Sequence, residues 1–203
     1  MDSPRSSLKR VISKVRETPN AWVNVESVTL APRGIVAALV LQKGRKGRAL
    51  ARWTVACRGV RELKVSDLTG GGIRLYASDH PAARQHAAAF VRLSCPTAGR
   101  AGVAWMALAT AHRAAVDDWI HFDRYLPATL PQGNTLVVRA PDFLIRHYAR
   151  ALRRIGLAVR LSPSKRRPSR RKRPQVLHLG SSFVVAEEFL VQDQSAPRSR
   201  LSP

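Results

Sequence analysis

The sequence predicts an α+β protein: an antiparallel β-meander with a packed apolar helix, followed by a smaller C-terminal β-α-β-β unit that carries a basic inserted loop. Three observations predict it. Short segments alternating apolar and polar residues follow one another between turn signals up to about residue 95. A single stretch of helical length, 99 to 117, is apolar almost all round. Beyond residue 134 the period changes from strand to helix and back.

In "SLKRVISKVR", residues 7 to 16, Leu8, Val11, Ile12 and Val15 share one helical face behind a Ser7 cap, with Lys9, Arg10, Lys14 and Arg16 largely opposite. Thr18-Pro19-Asn20 ends that helix. Strands are expected at 21 to 30, 35 to 42, 49 to 57, 60 to 67, 72 to 78 and 89 to 95, as in the alternation Val23-Asn24-Val25 and Leu63-Lys64-Val65. "QKGRKGR", 42 to 48, reads as a basic hairpin loop and "TGGG", 69 to 72, as a turn. The apolar helix at 99 to 117 should be buried or packed against the sheet, and the aromatic-rich "DDWIHFDRYLP" should cover one end of the core as a loop or short strand.

The second pattern runs strand 135 to 140, helix 141 to 156, strand 157 to 162, basic loop, strand 176 to 180 and the segment 182 to 191. Its helix has the firmest signals in the chain. Pro141 suits a first turn, Asp142 the positive end, Arg153 and Arg154 the negative end, and Gly156 the stop. The expected organisation is an amphipathic helix over 1–19, sheet plus helix over 20–126, the β-α-β-β unit over 134–192 with its loop at 163–174, and a disordered tail over 193–203.

The chain's 203 residues suffice for one ordinary domain or two small ones. The unusual feature is charge: 35 Lys and Arg against 13 Asp and Glu give +22. Twenty-eight of the 35 are Arg, which a GC-rich genome would inflate, but codon bias should spread charge evenly. Between Phe143 and Ala186 there are twelve basic residues and no acidic one. A polyanion is the partner such a stretch suggests.

Two groups carry that expectation. On the helix, Arg146, Arg150, Arg153 and Arg154 lie largely away from the apolar stripe of Leu144, Tyr148, Ala151, Leu152 and Ile155. In the loop, Lys165, Arg166, Arg167, Arg170, Arg171, Lys172 and Arg173 are interspersed with Pro163, Pro168 and Pro174, which disfavour a helix. No aromatic is interleaved with the loop, and no helix-turn-helix, zinc-finger or glycine-aromatic motif is evident, so contact would be to the nucleic-acid backbone with low specificity. The competing expectation is a protein-interaction module of accessory, adaptor or immunity-like type, whose basic loop is a solvated surface or meets an acidic partner.

Catalytic and metal chemistry find little support. Cys57 and Cys95 have no CxxC or ligand spacing and read as buried thiols of a reducing cytosol. His80, His86, His112 and His121 show no HExxH pattern and read as capping or core-edge histidines. "GSS", 180 to 182, lacks the nucleophile elbow, and Asp117-Asp118 and Glu187-Glu188 are adjacent pairs that point apart. The remaining enzymatic possibility assembles "SDHPA" with "DDWIHFDRY". No cofactor or metal is expected, and the lack of a long apolar run predicts a cytoplasmic protein with no membrane partner.

Overall fold

In the computed structural model the residues described are 5–66, 71–126, 134–163 and 173–194. Among them the chain is α+β, with α-helices set against antiparallel sheets. It divides into two compact units, Met1–Ala83 with Lys172–Pro203, and Arg84–Arg171.

The first unit takes β1 (Arg5–Ser6), α1 (Leu8–Glu17), β2 (Ala21–Ala31), β3 (Gly34–Lys43), β4 (Ala49–Arg58), β5 (Glu62–Lys64) and β6 (Ile73–Tyr76) from the start of the chain. It takes β10 (Gln175–Leu179), β11 (Ser182–Ala186) and β12 (Glu188–Asp193) from the end. They form an antiparallel five-stranded sheet in the order β1-β12-β4-β3-β2 and an antiparallel four-stranded sheet, β5-β11-β10-β6. This overturns the expected grouping of the strand 176–180 and the segment 182–191 with the strand and helix before the basic loop. Strand partners are chosen by the apolar faces available, not by nearness in sequence. Leu177, Leu179, Val184, Ala186 and Val191 complete one core with Val23, Leu39, Leu41, Trp53 and Val55.

The same core takes Leu8, Val11, Ile12 and Val15 of α1, the face that the spacing predicts. Ser7 caps that helix by accepting the Arg10 N–H at 3.3 Å, and the Thr18 hydroxyl donates to the Lys14 carbonyl at 2.7 Å. The segment 182–191, expected as one element, breaks at Glu187 so that β11 serves one sheet and β12 the other. Glu187 is fixed there by an ion pair with Arg61 and by its N–H, which donates to the Arg58 carbonyl at 3.0 Å. Gly59 permits the close approach: its φ is +61°, and a Cβ would fall 2.8 Å from the Glu187 carboxyl carbon.

A short helix not anticipated from the sequence, α2 (Pro81–Ala87), leads into the second unit. That unit contains β7 (Phe90–Pro96), α3 (Ala101–Val116), a 3-10 turn at Phe122–Arg124, β8 (Thr135–Pro141), α4 (Asp142–Arg154) and β9 (Arg160–Pro163). Its sheet runs β8-β7-β9, with both neighbours antiparallel to β7. Leu93 and Cys95 of β7 and Leu136, Val138 and Ala140 of β8 face the helices and share a core with Leu108, Leu144, Tyr148 and Leu152.

The apolar helix α3 buries less than expected. Only the stripe Ala104, Leu108, His112 and Val116 is buried, while Val103 is 50% and Met106 60% exposed. Its packing partner is α4, and a helix pressed on one side by another helix leaves its far side open. No helix among the described residues is long and apolar enough to cross a membrane.

Candidate nucleic-acid interface

The candidate surface is built on α4. Pro141 closes β8 in extended conformation (φ −51°, ψ 143°) and stands immediately before the helix rather than within its first turn. The Asp142 N–H donates to the Ala89 carbonyl at 2.9 Å, which ties the helix start to the chain entering β7. At the other end Gly156 adopts φ +78°, its N–H donates to the Arg153 carbonyl at 3.0 Å, and the Leu157 N–H reaches the Leu152 carbonyl at 3.1 Å. That paired arrangement is a Schellman stop, with buried Leu152 and Leu157 providing its apolar contact. The inward face comprises Phe143, Leu144, Ile145, Tyr148, Ala149 and Leu152, broader than the stripe read from the sequence. Ala151 and Ile155 sit at its half-buried margin.

The outward residues Arg146, Arg150, Arg153 and Arg154 are all exposed and follow the spacing i, i+4, i+7, i+8, so they form one stripe about 12 Å long at 1.5 Å per residue. With Ala149 and Leu161 they line a groove of about 490 Å³. Leu161 of β9 stands opposite Leu93, on the core side of the sheet, yet is 43% exposed because the groove opens over it.

The arginines of this unit are in two distinct situations. Arg100 donates to the Ile155 carbonyl at 2.9 Å, and Arg84 lies 4.6 Å from the Phe143 ring centre; both are engaged in holding α4. Arg146 has a carboxylate, Asp142, at 3.4 Å, in an exposed i, i+4 pair of small energetic weight. For Arg150, Arg153 and Arg154 no ion pair is found among the described residues.

Of the loop residues expected to extend this surface, Lys165, Arg166, Arg167, Arg170, Arg171 and Lys172 lie outside the described residues. Arg173 is exposed and directly precedes Pro174 and β10 of the first unit. In sequence the basic run begins right after β9, the strand that lines the groove. The hairpin turn between β3 and β4 exposes Lys43, Arg45, Lys46 and Arg48 on the first unit.

Comparison of the chain with protein-family models, with curated proteins and with solved structures finds no match.

The other candidate residues sit in buried or packed surroundings. Burial pushes the Cys57 thiol up to about 12 and raises that of Cys95, the reverse of what a nucleophile needs. His112 is buried, with Nδ1 2.6 Å from the Tyr148 hydroxyl and Nε2 2.7 Å from the Ile120 carbonyl. The His80 ring lies tilted against that of Tyr76, centroids 4.5 Å apart, and its backbone carbonyl accepts the Ala83 N–H at the start of α2. Burial lowers both imidazoles, against a smaller upward influence of Asp79 on His80. Ser182 is buried and accepts the Ser66 N–H at 3.1 Å. No group of three metal-ligating side chains occurs among the described residues. Sequence reasoning passed over Arg92, Arg139 and Arg160, which lie on three different strands of one sheet and become neighbours only through its register.

Proposed function

We propose that this chain is a non-catalytic binding protein that docks on nucleic-acid backbone through Arg146, Arg150, Arg153 and Arg154 of α4, with the basic residues 165 to 173 adding to the same electrostatic attraction. The observation that carries the reading is the groove beside α4, where three exposed arginines have no ion-pair partner among the described residues. A guanidinium offers a planar fork of donors that matches phosphate oxygens, and each phosphate neutralised releases condensed counterions. The second unit as a whole holds sixteen basic and four acidic residues, a balance of +12.

The test is binding of nuclease-treated protein to labelled duplex DNA across a salt series, beside the variant Arg150→Gln/Arg153→Gln/Arg154→Gln. If each arginine meets a phosphate, the slope of log K against log salt should shrink by about 0.9 per lost contact, close to 2.7 in all. An unchanged slope in a variant with wild-type circular dichroism removes α4 from the interface.

The uncovered outer side of α3, with Val103 and Met106, favours a second reading as a protein-interaction module. That reading predicts a stoichiometric complex, resistant to nuclease, that Met106→Asp disrupts and the arginine variant leaves intact.

A further inference from the structure

The sheet of the second unit has a face that α3 and α4 leave open. Alternation along β7 and β8 sends Leu93, Cys95, Leu136 and Val138 to the core, so Arg92, Ser94, Val137 and Arg139 face the other way. The register aligns these residues in two rows. Arg139 of β8 stands opposite Arg92 of β7, and Ser162 of β9 stands opposite Arg92 on its other side. In the next row Val137 is opposite Ser94 and Ser94 opposite Arg160. Arg92, Arg139 and Arg160 are all exposed, and Val137 is 43% exposed.

Like charges placed directly opposite on neighbouring strands are about 5 Å apart at Cβ and destabilise the pair. Arg92 and Arg139 are such a pair. No acidic residue occurs on β7, β8 or β9, and no ion pair is found for Arg92, Arg139 or Arg160 among the described residues. The repulsion is thus left standing in the free protein, while the Arg139 guanidinium is held 5.8 Å from the Phe90 ring centre. An anion laid across the rows would turn that cost into attraction, with hydroxyls at Ser94 and Ser162 available to its oxygens.

We propose that this face binds the sugar-phosphate backbone of a single-stranded nucleic acid. This rests on the nucleic-acid reading above but uses the side of the sheet away from α4. The three arginines fall within two rows, across roughly 10 Å of sheet and about 7 Å along the strands, a compact flat patch. A broad sheet face does not enter a duplex groove as a helix or two-stranded ribbon does, whereas single strands commonly lie on such faces. With Phe90 half-buried and in edge contact with Tyr125 at 6.0 Å, the face offers phosphate contacts rather than a row of stacking rings, so binding should tolerate any base sequence.

The experiment compares the full chain with Arg92→Thr/Arg139→Thr/Arg160→Thr on labelled oligothymidylate and on duplex DNA across a salt series. The variant should lose about tenfold or more in oligothymidylate affinity near 0.1 M salt, and its slope should shrink by close to 2, at about 0.7 per contact. Its duplex affinity should stay within twofold, whereas the α4 variant should lose duplex binding. Unchanged oligothymidylate binding by the sheet variant overturns this inference and leaves the α4 reading standing; failure of the wild-type protein to bind either form ends both. If polyglutamate displaces oligothymidylate charge for charge, the face is an acidic-peptide surface and the single-strand assignment is wrong. Folding is controlled by Arg92→Thr alone, which should raise the urea midpoint at low salt, by an amount that salt diminishes. A lowered midpoint would mean that Arg92 has a structural partner, and the premise of uncompensated repulsion would fall with it.

Discussion

The imidazole of His112 has one neutral state that satisfies both of its neighbours. Only Nε2–H can donate to the Ile120 carbonyl, so Nδ1 must accept from the Tyr148 hydroxyl, and burial favours that uncharged form. Protonation would place a second donor against Tyr148 inside the core. Because burial holds the folded-state pKa below the ordinary value of about 6.5, the stability from this site is full above pH 6.5 and is lost as the pH falls below it toward the folded-state value. His80 and His178 are also lowered by burial, so the informative quantity is a difference. His112→Phe should reduce the pH slope of unfolding free energy between pH 7 and 5 by up to one proton's worth, and an unchanged slope would show that His112 takes up its proton as readily in the fold as in the unfolded chain. Tyr148→Phe should cost about 1–3 kcal/mol at pH 7, since it leaves Nδ1 a buried acceptor without its donor. The composition identified His112 as chemically notable, but its role depends on Tyr148, 36 positions along the chain, which no local pattern links to it. The α4 arginines were legible because a helix carries its own faces in its period; Arg92, Arg139 and Arg160 were not, because a row across a sheet is defined by register.

At the level of the element, α4 shows which signals the chain states outright. Acidic residue first, arginines last and glycine at the stop are local requirements of a helix, and each is met where the sequence places it. Gly156 gives a clean test, because nothing lies within 4 Å of where its Cβ would be, so substitution there is a matter of φ alone. Gly156→Asn should cost a few tenths of a kcal/mol, Gly156→Ala about 1, and Gly156→Val more, in the order in which side chains tolerate the left-handed region. Urea midpoints would reveal the order, and a harmless Val would show that the Schellman stop contributes nothing to the end of α4 that carries Arg153 and Arg154. Less was legible for 182–191, where the Glu187-Glu188 pair interrupts an otherwise apolar run without itself signalling a bend. That bend is imposed from a distance by Arg58, Gly59 and Arg61. For α3, uniform hydrophobicity gave no direction, and the fold used only the side that meets α4.

For the whole molecule, the order of segments along the chain misleads about how they assemble. The second unit, Arg84–Arg171, is contributed by the middle of the chain, and the first unit needs both ends to complete its sheets. β12 lies between β1 and β4, and β10 and β11 form the centre of the four-stranded sheet. Order along the sequence groups 176–191 with what precedes it, because alternation identifies a strand without identifying its neighbour. The two readings make opposite predictions for a chain truncated after Pro163. Were the C-terminal strands a satellite of α4, the N-terminal sheet would survive their loss. In the observed topology truncation removes Leu177, Leu179, Val184, Ala186 and Val191 from the core around Trp53, Leu39 and Val55. At about 1.5–3 kcal/mol for each fully buried aliphatic side chain, that loss approaches or exceeds the 5–15 kcal/mol by which domains are typically stable. The truncated protein should therefore lose the near-ultraviolet dichroism of Trp53 and expose residues 5–66 to protease, while a separately supplied peptide spanning 173–194 should restore both in proportion to its concentration. Retention of a protease-resistant N-terminal sheet without that peptide would contradict the strand order on which the two-ended first unit depends.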